Sequence, residues 1–102
     1  MIGVSKHELS IIIDIIAKYA PDCDVLVFGS RFNSTSKKYS DLDLAFVGDG
    51  KLGMNRRLQL ENAFAESDLP YRVDVLDYNS VSPEFCAIID SGNEVIYKRS
   101  DL

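Results

Sequence analysis

A chain of 102 residues, 46% hydrophobic and 26% charged, is expected to form one globular domain with a single modest core, and it leaves no room for a second. The net charge of −5 provides little from which to build the basic surface that duplex DNA or RNA binding requires, so no direct duplex contact is expected. No apolar run approaches the roughly 20 residues of a membrane span, and the N-terminus lacks a basic-then-apolar signal pattern. A cytoplasmic, membrane-free protein is therefore expected. Its two cysteines, Cys23 and Cys86, are expected as separate thiols. Without a CxxC or a Cys/His cluster, structural zinc is disfavoured.

The chain opens with a helix signal. Ser5 followed by Glu8 forms a capping box, and Leu9, Ile12, Ile13, Ile16 and Ala20 recur at helical spacing, which predicts a helix from Lys6 to Tyr19. Asp14 and Lys18 are spaced to pair on its outer face, and Pro21 ends it. Val25 to Phe28 reads as a short apolar strand broken at Gly29-Ser30. After the polar stretch from Arg31 to Ser40, a second strand runs from Asp41 to Val47. Gly48-Asp49-Gly50 then turns the chain.

A second helical pattern covers Met54 to Glu66, with Leu58, Leu60, Ala63 and Phe64 as expected core contacts. Pro70 stops it, and Tyr71 to Leu76 reads as a third strand. Ser82 followed by Pro83 opens a third helix, expected to bury Phe85, Ile88 and Ile89 and to end at Gly92. Glu94 to Tyr97 is the last predicted strand. The fold class is α/β (α+β): a small mixed sheet of about four strands with helices packed against it.

The chemistry concentrates in the acids. Side chains alternate along a strand, so Asp41 and Asp43 leave one face while Leu42 and Leu44 leave the other. Adjacent carboxylates repel and stay ionised only with a cation between them. Asp74 lies amid Val73 and Val75, where an unpaired acid is costly, and it converges on the same site if the strands are neighbours. Asp77 faces the other way and reads as a strand-end cap. Gly29 permits a sharp turn, and Ser30 with the following N–H groups would make an anion site.

Gly29-Ser30-Arg31, the ten-residue stretch through Ser40 and Ser40-Asp41-Leu42-Asp43-Leu44, with Asp74 on a later strand, resemble the signature of the DNA polymerase β-type nucleotidyltransferases. The chain is most similar to the minimal nucleotidyltransferases, and the likeness spans most of residues 1–102. The resemblance implies a nucleotidyltransferase-like fold in which Asp41, Asp43 and Asp74 are catalytic and hold Mg²⁺, two ions in all. It also implies that Gly29, Ser30 and Arg31 bind the phosphates of ATP. Family members of this size are often paired with a HEPN-type toxin, which they neutralise by moving AMP from ATP to a tyrosine hydroxyl, by binding, or both. An adenylyltransferase antitoxin is thus the leading expectation. A binding-only antitoxin stands beside it, because Asn33 to Ser36 occupy a stretch where relatives usually carry a glycine. Transfer to a small molecule is the third class, weakened by the lack of an acceptor-binding domain.

Overall fold

The computed structural model describes residues 4–29 and 41–99. The elements run α1 (Lys6–Tyr19), β1 (Asp24–Phe28), β2 (Leu42–Val47), α2 (Met54–Ala65), β3 (Val73–Asp77), α3 (Pro83–Ser91) and β4 (Glu94–Tyr97). α1 begins where its capping box predicts: the Glu8 amide donates to Ser5 Oγ and the Ser5 amide to Glu8 Oε1, both at 3.1 Å. α3 is capped by Ser82, with Pro83 in its first turn, where the missing N–H costs nothing. β3 starts two residues later and ends one later than its hydrophobic pattern suggests. β2 excludes Asp41.

The strands form one sheet in the order β3-β2-β1-β4. β1 pairs antiparallel with both β2 and β4, and β2 pairs parallel with β3, so the sheet is mixed as expected. One face, built from Val25, Val27, Leu42, Leu44, Phe46, Val73 and Val75, packs against Ile12 and Ile16 of α1 and Leu60 and Phe64 of α2. Each fully buried aliphatic or aromatic side chain there contributes about 1.5–3 kcal/mol. The opposite face is thinner. Phe28, Ala45 and Ile89 form a small second cluster, closed by an edge-to-face contact between Phe28 and Phe85. The two helices on the first face leave the second face to α3 and to the acids.

Three expectations change on the tertiary structure. Leu58 is 48% exposed and Ile88 59% exposed. Leu60 and Phe64, one helical turn apart, carry the buried stripe of α2, and Leu58 falls on the far side of the helix. Phe85 and Ile89 do the same for α3. Lys18 does not pair with Asp14 among the described ion pairs; its ammonium lies 5.3 Å from the centroid of the Tyr19 ring. Both cysteines are free, as expected. Among the described residues no helix is long and apolar enough to cross a membrane.

Asp77 is the strand-end cap, and it is more deeply placed than a cap need be. It is buried and accepts from the Leu52 amide (2.7 Å), the Ser80 hydroxyl (2.8 Å) and the Asn79 amide (3.1 Å). It thereby ties the loop before α2 to the end of β3. Asp77→Ala would strand those donors, at an expected cost of about 2–4 kcal/mol. The check is the urea midpoint at constant m-value. A midpoint shift below the error of the fit would contradict the anchoring role.

Candidate active site

The site forms where three strand ends meet. β1 delivers the chain to Gly29, whose φ of +82° is a conformation that L side chains rarely adopt. The antiparallel register sets Phe28 opposite Asp43, so the Gly29 backbone lies against the Asp43 carboxylate. A Cβ at Gly29 would collide with Asp43 Oδ2 and crowd Cγ at 3.3 Å. The parallel register of β2 and β3 then sets Asp43 opposite Asp74, with both side chains on the face away from α1 and α2. The neighbouring pair, Leu42 and Val73, points into the core.

The Asp43 and Asp74 carboxylates face one another across the paired strands. Burial first, then the charge and close approach of the Asp74 carboxyl, and last the charge of Asp41, push Asp43 up from 3.8 to about 6. Asp74 also meets a cation: Arg72 Nη2 lies 2.9 Å from Asp74 Oδ1. Arg72 is two residues before Asp74, hence on the same face, and its guanidinium is largely exposed.

The structure therefore brings Asp43, Asp74 and Gly29 together. Asp41 lies just outside β2, exposed, and acts on Asp43 through its charge. Among the described residues no three His, Cys, Asp or Glu side chains are gathered closely enough to hold a metal ion. Ser30 and Arg31 lie outside the described residues. Arg72 carried no role in the sequence reading, although its i,i+2 spacing from Asp74 was a usable signal.

The donor set fits a divalent cation. The facing Asp43 and Asp74 carboxylates offer hard oxygen ligands, while exposed Asp41 reaches them through its charge. Gly29, having no side chain, lets the Asp43 carboxylate sit directly against the backbone of the turn.

The raised pKa of Asp43 makes a prediction. The folded-state pKa of Asp43 is raised, so its stabilising contribution is full below about pH 4 and is lost as pH rises through about 6. Between pH 5 and 7.5 the metal-free protein is expected to lose about 1 kcal/mol relative to Asp43→Asn, after allowance for solvent screening. Denaturant midpoints of both proteins across that range check it. Parallel profiles would contradict the raised pKa of Asp43.

Comparisons with known proteins converge on one family. The family model described as "Polymerase beta, Nucleotidyltransferase" matches residues 11–102. A probable protein adenylyltransferase, MntA, from Haemophilus influenzae is 42% identical over 98 residues, which cover 96% of this chain and 86% of the relative. A crystal structure of a toxin–antitoxin complex with AMP-PNP superposes at a TM-score of 0.77 with 25% identity, over 90% of this chain and 74% of that one. At 24% identity and a TM-score of 0.67, over 87% of this chain and 68% of the other, the fold also matches a structure of tri-AMPylated Shewanella oneidensis HEPN toxin in complex with MNT antitoxin.

Proposed function

Because the chain belongs to the polymerase beta nucleotidyltransferase family, we propose that it moves AMP from ATP onto a hydroxyl, in the first instance a tyrosine, of a HEPN-type partner protein, and acts as that partner's antitoxin in the cytoplasm. Residues 1–102 act as a single transferase domain in this reading. What carries it is the opposed Asp43–Asp74 pair beside the Gly29 turn, in a chain 42% identical to a probable protein adenylyltransferase.

Asp41, Asp43 and Asp74 would hold Mg²⁺, two ions in all. Bound Mg²⁺ supplies charge neutralisation at the phosphates and lowers the pKa of the attacking hydroxyl. The Gly29-Ser30 backbone, Ser30 and Arg31 cradle the β- and γ-phosphates. Where Asp74 does not share the second ion, it would take the proton of the acceptor hydroxyl. The acceptor oxygen attacks the α-phosphorus, the bond from that phosphorus to the bridging oxygen breaks, and pyrophosphate leaves with the electron pair. Gly29 supports the reading from the other side, since its lack of a side chain lets the Asp43 carboxylate sit against the turn that would hold the phosphates.

The test is the intact mass of the HEPN-type partner after incubation with this protein, ATP and Mg²⁺. A gain of one or more AMP units, absent with the Asp41→Asn/Asp43→Asn double variant, is the expected result. A stable complex with no mass gain would replace it with the binding-only antitoxin.

A further inference from the structure

Of the two facing acids, Asp74 alone has a cationic partner among the described ion pairs. Asp43, which lacks one, is the acid whose pKa rises. The partner of Asp74 is held by its backbone and loose at its tip. The Leu42 amide donates to the Arg72 carbonyl at 2.9 Å, which continues the pairing of β2 with the chain just before β3. The Arg72 side chain is 76% exposed, against 31% for that of Asp74. β3 is also the outer strand on its side of the sheet. The guanidinium, on a long flexible stem, is therefore able to sit on Asp74 or to swing into water without moving the strand.

A guanidinium and a divalent cation compete for the same carboxylate. The oxygen that accepts from Arg72 has a lone pair occupied, and the positive charge beside it repels a second cation. An exposed ion pair is nonetheless weak, worth about fivefold in an equilibrium constant at most. That strength suits a partner that yields. It biases the empty site and does not block a loaded one.

We propose that Arg72 is an internal counter-ion that occupies Asp74 in the metal-free protein and must be displaced before that carboxylate ligates a divalent cation. Asp43, with no described arginine to displace, is engaged first, and Asp74 is recruited last. Arg72 is thus a positioning residue that acts through Asp74. The inference rests on the metal-dependent transfer reading above and adds to it an order of loading.

Mn²⁺ titrations of the full chain test it, followed by the EPR signal of the free ion at pH 7.5 and fixed ionic strength, without nucleotide. Arg72→Ala is expected to bind Mn²⁺ about threefold more tightly than wild type. Arg72→Lys, which keeps the charge and loses the planar fork, is expected to fall between them. Because the Arg72 side chain is exposed, Arg72→Ala leaves the core intact, and an unchanged far-UV circular dichroism spectrum verifies this. A residue with only a structural role would leave metal affinity unchanged, or lower it, when removed. The Asp74→Asn background localises the effect, since the gain from Arg72→Ala is expected to vanish there. Weaker binding by Arg72→Ala, or the same gain in the Asp74→Asn background, would overturn the assignment. Equal binding by wild type and Arg72→Ala defeats this inference alone, whereas binding by neither defeats the metal reading together with it.

Discussion

Asp43→Asn is expected to slow AMP transfer by about 10³-fold or more and, in the same protein, to raise the Tm of the metal-free form at pH 7.5. The first effect follows, on the proposed function, from the loss of a charged oxygen ligand where metal-assisted charge neutralisation would supply several kcal/mol to the transition state. The second follows from burial. Asp43 sits half-buried against Asp74, with its pKa raised to about 6, so at pH 7.5 the folded protein must hold an ionised carboxylate against a second one. Asparagine keeps the shape and removes that repulsion. Single-turnover transfer and thermal melts with and without Mg²⁺ check both signs. The added Mg²⁺ should raise the wild-type Tm more than that of the variant. A variant that loses both activity and stability would mean that Asp43 is a structural residue.

Gly29→Ala is expected to be nearly as damaging for a different reason. The methyl group would meet Asp43 Oδ2, and the backbone at φ +82° strains any L side chain. Strain of this kind costs about 1–3 kcal/mol. The carboxylate cannot retreat easily, since Asp74 lies on its other side. The expected outcome is a clear drop in Tm with AMP transfer reduced by at least two orders of magnitude. The double variant Gly29→Ala/Asp43→Asn separates the causes. If the clash dominates, it should be less destabilised than the sum of the two single changes predicts. Full additivity would assign the cost to the backbone alone.

The site's composition was legible along the chain because its acids break an otherwise apolar pattern. Asp43 and Asp74 each alternate with buried aliphatics, and a strand's two-residue period assigns them a face without knowledge of any neighbour. α1 was legible to the residue because Ser5, Glu8 and the Ile12–Ile16 stripe are local signals. The same period also separated Asp77 from Asp74 and made it a cap.

Pairing is not local, and there the sequence stops. Nothing in the order of residues states that β2 and β3 are parallel neighbours in a register that opposes Asp43 and Asp74, or that β1 brings Gly29 against Asp43. Those contacts arise when two helices cover one face of the sheet and the strands settle into the register that buries Leu42, Leu44, Val73 and Val75 together. Helix faces depend on the same packing. Leu58 and Ile88 are as apolar as the residues that were buried, and only the position of the sheet decides that they look outward. The sequence by itself determined which residues could do the chemistry, and the tertiary structure decided which of them meet, because periodicity fixes a face while only packing fixes a neighbour.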